Sequence, residues 1–82
     1  MDDVSARAGI TEFVAQYLNT DEVDPQVDMF ATGMVNSLFA MQLVLFVENS
    51  FGLAVDNEDL DYQNFCSIDA ICDFVARKRA TA

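Results

Sequence analysis

Two serines stand immediately before apolar stretches, where a hydroxyl group can either cap a helix or carry a phosphoester. Ser37 precedes the apolar run at residues 38–47, and Ser67 precedes Ile68. Serine is a favoured N-cap because its oxygen accepts a hydrogen bond from a free backbone N–H of the first turn. Such free N–H groups, together with the helix dipole, also favour a phosphate. The sequence predicts an N-cap at both serines and permits a phosphoester on Ser37.

Ser37 differs from Ser67 because it follows a long segment, residues 20–36, that has no helical period. A loop of this length is uncommon in a small domain and is usually functional. The segment contains the only proline, Pro25, and also Gly33, which permits a positive φ or a close backbone approach. We predict that the segment packs across the core through its apolar residues, which are Val27, Met29, Phe30, Met34 and Val35.

Carboxylates are concentrated at residues 21–28 and 56–61. An EF-hand loop that began at Asp56 would need glycine at its sixth position and glutamate at its twelfth, where this chain has Asp61 and Ser67. Paired carboxylates for acid–base catalysis need a cleft that raises one pKa, and nothing in the pattern indicates one. We therefore expect solvated acidic loops and no specific metal site.

Other catalytic chemistry is scarce. The chain has no histidine, which removes the commonest general base and every Ser-His or Cys-His nucleophile system. Cys66 and Cys72 are too few for a disulfide framework or a metal site, and we predict small buried side chains in a reducing compartment. A domain of this size hides only roughly 60–65% of its unfolded surface, which leaves no room for a deep pocket. The prediction is a protein that is not an enzyme.

The charge excludes several classes of partner. The 82 residues have a formal net charge of −10, yet 52% of them are hydrophobic. This apolar content is too high for a disordered tail, and the sign is wrong for nucleic acid or an anionic membrane surface. The longest apolar run, residues 38–47, is too short to span a bilayer, and the start Met1-Asp2-Asp3 is unlike a signal peptide. We expect a soluble, cytoplasmic protein.

Helical periodicity organises the chain as one domain, residues 1–82. A first helix from Ser5 or Ala6 to Asn19 has an apolar stripe of Ile10, Phe13, Val14, Tyr17 and Leu18. A second helix follows Ser37 and ends near Gly52, and residues 62–65 form a short helical turn. The last helix follows Ser67, with the stripe Ile68, Ile71, Cys72 and Val75. The predicted fold is all-α, a small bundle of three main helices plus one short helix.

The segment around Ser37 also resembles a known signature. It reads Asp28-Met29-Phe30, then Gly33-Met34-Val35-Asn36-Ser37-Leu38, and the last helix opens with Phe65-Cys66-Ser67-Ile68. These residues resemble those of acyl and peptidyl carrier proteins, and the resemblance covers about residues 10–77. It implies a four-helix bundle of acyl-carrier type in which Ser37 receives 4′-phosphopantetheine from coenzyme A. The thiol of that arm, and neither cysteine, would hold an acyl group as a thioester.

The chain departs from the family pattern in two ways. Asn36 stands where the family commonly has Asp, and the helix after Ser37 has a single acid, Glu48. The resemblance implies that partners dock on this helix, so they should meet an unusually apolar face. Asn36 and Leu38 would flank the site for the modifying transferase. The candidates for partner contact are Phe39, Met41, Gln42, Leu45 and Glu48. Core packing is the alternative for Phe39, Met41 and Leu45, of which we expect at least one to be exposed.

Residues 35–44 are similar to those of a narrower group. Its members are free-standing carriers of glycerate-derived polyketide extender units, such as methoxymalonyl or hydroxymalonyl, in antibiotic biosynthesis. The partners that this similarity implies are a phosphopantetheinyl transferase, acyl-loading and acyl-modifying enzymes, and a polyketide synthase acyltransferase, and we expect a monomer. The alternatives are an aminoacyl or peptidyl carrier of nonribosomal synthesis, a general fatty-acid carrier, an unmodified interaction module, and an acidic domain that binds divalent ions.

Overall fold

Three long helices contribute apolar side chains to one core. The computed structural model describes residues 3–20 and 22–81. Its helices are α1 (Asp3–Leu18), α2 (Ser37–Phe51), α3 (Tyr62–Phe65) and α4 (Ile68–Thr81), and a 3₁₀ turn lies at Asn57–Asp59. The predicted all-α bundle of three main helices and one short helix is confirmed. None of the helices in the described part of the chain has the length and hydropathy that a membrane crossing requires.

Helix α1 forms on the predicted stripe. Ile10 and Val14 are fully buried, and the ring of Tyr17 packs at the edge of the stripe, 4.6 Å from the ring of Phe39. The helix ends because Asn19 takes a left-handed conformation with φ 56°, which asparagine tolerates. The Thr20 N–H then bonds to the Ala15 carbonyl at 3.0 Å and satisfies one of the last free carbonyls.

The fully buried residues of helix α2 are spaced four positions apart along one side. Phe39, Leu43 and Val47 are fully buried, and Phe13 of α1 packs against this side of the helix with its ring 5.9 Å from that of Phe39. The helix ends at Gly52, which has φ 65° and donates its N–H to the Glu48 carbonyl at 3.1 Å. The predicted stop at Gly52 is confirmed, and its positive φ is the reason that glycine suits this position.

Helix α4 packs against α1 and α3. The predicted cap is confirmed, because the Ser67 hydroxyl oxygen accepts the Ala70 N–H at 3.1 Å. The apolar stripe of α4 is buried as predicted at Ile68, Ile71 and Val75, and Phe74 joins the core 5.2 Å from the ring of Phe65. The prediction that Cys66 and Cys72 are buried was wrong, because both are only half-buried, and Cys72 packs against the outside of the core.

The segment before α2 packs across the core, as predicted. Met29 is fully buried and Val35 nearly so, and the Met29 N–H bonds to the Cys66 carbonyl at 2.8 Å. Met34 is the exception, since 40% of its surface is exposed. The Met34 N–H donates to the Met29 carbonyl at 2.9 Å. This bond closes a turn that places residues 31–34 at the surface.

The acidic segment at residues 56–61 is tied to α4. The Asp59 carboxylate accepts a hydrogen bond from the Asp56 N–H at 3.0 Å and from Lys78 Nζ at 2.7 Å. The Lys78 ammonium lowers the pKa of Asp59, and the bonds to Asp59 and Asp56 raise the pKa of Lys78. Among the described residues, no three His, Cys, Asp or Glu side chains lie close enough together to hold a metal ion.

Candidate functional site

Asn36, rather than Ser37, is the N-cap of α2. Asn36 has the extended backbone of a cap, with φ −138° and ψ −171°, and its Oδ1 accepts the N–H groups of Leu38 and Phe39 at 3.1 and 3.3 Å. The prediction that Ser37 caps the helix was wrong, because asparagine caps as well as serine and stands one residue earlier. Ser37 is the first residue inside the helix and is exposed. In the described part of the chain, its hydroxyl makes no hydrogen bond.

A hydrogen-bonded turn at residues 28–33 precedes this end of the helix. The Asp28 Oδ1 accepts the N–H groups of Phe30 and Ala31 at 3.1 and 2.9 Å. Gly33 then adopts φ 77°, which confirms the positive φ that its position suggested, and a side chain there would be strained. Val35 is the last residue before the cap, and its buried side chain anchors the chain at this point. This chain of contacts holds Ser37 at the surface.

The N-terminus of α2 is electrostatically open to an anion. Its first turn contains no acidic residue, and its cap is an uncharged amide. The helix dipole therefore places partial positive charge beside Ser37 that no carboxylate of the first turn offsets. A phosphoester on the Ser37 oxygen would meet this field even though the chain has a net charge of −10.

The predicted contact residues on α2 divide into an exposed and a buried set. Leu38, Met41 and Leu45 are 59%, 68% and 57% exposed. They lie one, four and eight positions after Ser37, so they form one stripe, with the exposed Gln42 beside it. We name the side chains Leu38, Met41 and Leu45 the apolar stripe. The expectation that at least one of Phe39, Met41 and Leu45 is exposed is met by two of them.

Phe39 is the correction in this set. Its side chain is fully buried between the rings of Phe13 and Tyr17, at 5.9 and 4.6 Å, so it cannot contact a partner. Close packing between α1 and α2 places the large Phe39 ring on the side of α2 that faces α1. Glu48 is half-buried, and its Oε2 accepts the Val55 N–H at 3.0 Å. The single acid of α2 thus supports the next loop.

A small apolar cavity lies between α2 and α3, and sequence reasoning did not anticipate it. Its volume is about 200 Å³, and it is lined by Ala40 and Val44 of α2, by Phe30, by residues 60–62 and by Phe65. Tyr62 stands over it and donates its hydroxyl hydrogen to Asp28 Oδ2. Ala40 and Val44, four positions apart, were the available signal for a second apolar side of α2.

Comparison with known proteins assigns the chain to a family. A search of curated proteins finds no match. The family model described as "Phosphopantetheine attachment site" matches residues 8–75. That span includes the Asp28 turn, the open N-terminus of α2 and α3. The chain therefore belongs to the phosphopantetheine-binding family of carrier proteins, whose members are non-catalytic and hold 4′-phosphopantetheine.

Proposed function

We propose that Ser37 is the attachment residue and that this carrier holds an acyl group, as a thioester, for the assembly of a polyketide. The observation that carries the proposal is the free hydroxyl of Ser37 at the open N-terminus of α2. Because Asn36 takes over the capping hydrogen bonds, Ser37 remains available to a transferase.

The residues around Ser37 fit 4′-phosphopantetheine. Its phosphodiester would lie where the helix dipole is favourable, and the first turn of α2 places no carboxylate against it. The turn at Gly33 is open to solvent, since nothing lies within 4 Å of the place where a side chain would begin. The arm supplies a terminal thiol for the thioester. The chain itself supplies a fixed, exposed anchor and the surface that partners recognise.

The apolar stripe is the surface that we assign to partners. An enzyme that reaches Ser37 must cover the turns of α2 that follow it, and there it meets Leu38, Met41 and Leu45. Exposed aliphatic side chains of this size favour specific contact once they are desolvated. The partners are a phosphopantetheinyl transferase and acyl-handling enzymes. For this chain we propose acyl-loading and acyl-modifying enzymes and a polyketide synthase acyltransferase.

The cargo that we propose is a small, oxygenated extender unit derived from glycerate, such as methoxymalonyl or hydroxymalonyl. Residues 35–44 support it, since their sequence is similar to that of carriers for such units. An aminoacyl or peptidyl cargo is the second candidate.

Intact mass spectrometry tests the attachment residue. The protein is incubated with coenzyme A, magnesium and a broad-specificity phosphopantetheinyl transferase. We expect wild type to gain the mass of one phosphopantetheine and Ser37→Ala to gain none. Ser50→Ala is the matched control, because Ser50 is also an exposed serine of α2, and it should be modified like wild type. No mass gain on folded wild type, or an equal gain on Ser37→Ala, would refute the assignment.

The cargo is tested separately. Carrier purified from its native host is digested, and the mass of the acyl group on the Ser37 peptide is measured. An oxygenated unit of three or four carbons supports the proposed cargo. A saturated chain of eight or more carbons would favour a fatty-acid carrier, and an aminoacyl mass would favour nonribosomal synthesis.

A further inference from the structure

We propose that the hydrogen bond from the Tyr62 hydroxyl to the Asp28 carboxylate is a latch that holds α3 over the apolar cavity and excludes long acyl chains. The latch itself is a property of the folded chain. Its effect on cargo rests on the proposed attachment at Ser37. The two parts are therefore tested by separate measurements.

Both carboxylate oxygens of Asp28 accept hydrogen bonds from within the chain. Its Oδ1 is fixed by the N–H groups of Phe30 and Ala31, at 3.1 and 2.9 Å, which leaves Oδ2 pointing to α3. Tyr62 donates to that oxygen, and its ring meets the ring of Phe30 edge-on with centroids 5.8 Å apart. One residue pair therefore joins the turn before α2 to the start of α3, 34 positions later in the chain.

The two ends of α3 are held differently. At its C-terminal end, Phe65 is buried against Phe74, and the Asn64 side chain accepts a hydrogen bond from Arg77 at 2.8 Å. At its N-terminal end, Leu60 and Tyr62 are 56% and 51% exposed, so little apolar burial fixes them. In the part of the chain that the structure describes, the bond to Asp28 is the one side-chain hydrogen bond between residues 60–63 and residues 22–36.

The volume of the cavity limits the length of the acyl chain that fits into it while the Tyr62–Asp28 bond is intact. An engineered apolar cavity of about 150 Å³ binds benzene, so about 200 Å³ holds roughly eight carbons. A longer chain would need α3 to swing away from α2 and would break the Tyr62–Asp28 bond. A unit with hydroxyl or carboxylate groups would lose hydration in this apolar lining and would stay outside. The closed state therefore suits a short or polar cargo.

Hydrogen exchange on the unmodified protein tests the latch without any attachment. Tyr62→Phe keeps the ring and removes the donor, and Tyr17→Phe is the matched control on the other tyrosine of the chain. Loss of a hydrogen bond of this kind changes an opening equilibrium by about two- to twelvefold. We expect the α3 amides to exchange faster by that factor in Tyr62→Phe and unchanged in Tyr17→Phe. Equal exchange in wild type and Tyr62→Phe would overturn the latch.

Asp28→Asn provides a second variant. The amide oxygen can still accept the N–H groups of Phe30 and Ala31, but the amide nitrogen can only donate to the Tyr62 oxygen, so a neutral bond replaces the bond to a carboxylate. We expect α3 exchange to rise by no more than it does in Tyr62→Phe, and the double variant to match Tyr62→Phe. Additive effects would mean that the two residues act independently, which contradicts the latch.

The effect on cargo is read by nuclear magnetic resonance on protein loaded with six- or twelve-carbon acyl-phosphopantetheine. In wild type, we expect the six-carbon group to shift the amide signals of Ala40 and Val44 and the twelve-carbon group to leave them unchanged. In Tyr62→Phe, both groups should shift them. Equal shifts by both groups in wild type would overturn the size limit. Failure to load any group would count against Ser37 and leave the exchange result standing.

Discussion

Replacing Asn36 by alanine should destabilise the fold by removing the cap of α2. The Asn36 Oδ1 bonds to the N–H groups of Leu38 and Phe39, and the second of these bonds is partly buried. Loss of an asparagine cap costs typically about 1 kcal/mol, in a range of about 0.5–2. Because one freed N–H is screened from water, we expect a loss in the upper half of that range.

The magnitude is measurable by thermal or urea unfolding. In a domain of 82 residues, a loss of 1 kcal/mol lowers Tm by about 4–8 °C. Asn49→Ala is the matched control, because Asn49 is an exposed asparagine of the same helix that caps nothing, and it should melt within about 0.5 kcal/mol of wild type. Equal Tm values for the two variants would refute the assignment of Asn36 as the cap.

Asn36→Asp sharpens the test. It keeps an acceptor oxygen and adds a negative charge at the helix N-terminus, worth about 0.3–1 kcal/mol where the charge is not repelled by its neighbours. We expect this variant to match or exceed wild type at neutral pH. Its cap should weaken as pH falls below about 4, where an aspartate is protonated, whereas the uncharged Asn36 is insensitive to pH in that range.

The cap also predicts how fast Ser37 is modified. In Asn36→Ala, the Ser37 hydroxyl becomes the nearest group able to cap the helix, so modification should slow at temperatures well below Tm. Asn36→Asp keeps the capping oxygen, so it should be modified faster than Asn36→Ala. If Asn36→Ala slows modification without any loss of stability, Asn36 acts by contacting the transferase, and the argument from capping fails.

Four further outcomes follow from the structure. Phe39→Ala should cost about 3–5 kcal/mol and unfold much of the protein, whereas Leu45→Ala should stay within about 0.5 kcal/mol of wild type in urea unfolding. Lys78→Met should destabilise the folded protein at neutral pH. The difference from wild type should vanish as pH falls through the lowered pKa of Asp59, because protonation of Asp59 removes the stability that its bond to Lys78 provides. Added salt should raise Tm, since it screens a net charge of −10; an unchanged melting curve would mean that the charges are already balanced. Leu45→Ala should speed dissociation from an acyl-handling enzyme in stopped-flow measurements and leave the salt dependence of association unchanged.

The helices were predictable because their signals are local. The stripes of α1 and α4 repeat at helical spacing and are buried at Ile10, Val14, Ile68, Ile71 and Val75. Gly52 and Ser67 mark a helix end and a helix start through chemistry that acts within a few residues. Each of these features depends on the neighbours in sequence alone.

The errors arose where a choice depends on distant residues. Asn36 and Ser37 cap helices equally well, and the extended backbone at Asn36 decides between them. Helix α2 is apolar nearly all round, so its period does not show that Phe39 faces the core. The rings of Phe13 and Tyr17 on α1 make that choice. The bond between Tyr62 and Asp28 joins positions 34 residues apart and left no local pattern.

The distribution of charge separates encounter from recognition. Among the residues that the structure describes, three of the four basic side chains bond to other side chains: Arg7 pairs with Asp69, Lys78 with Asp56 and Asp59, and Arg77 with Asn64. The surplus of acids therefore forms a negative field, which speeds encounter with basic partners and is screened beyond about 10 Å at 0.1 M salt. Helix α2 contributes a single carboxylate to that field, that of Glu48, which lies eleven positions after Ser37 and accepts the Val55 N–H. Close contact beside Ser37 is left to Leu38, Met41 and Leu45, whose burial depends little on salt, so the lifetime of a complex is set by surface that the net charge does not describe.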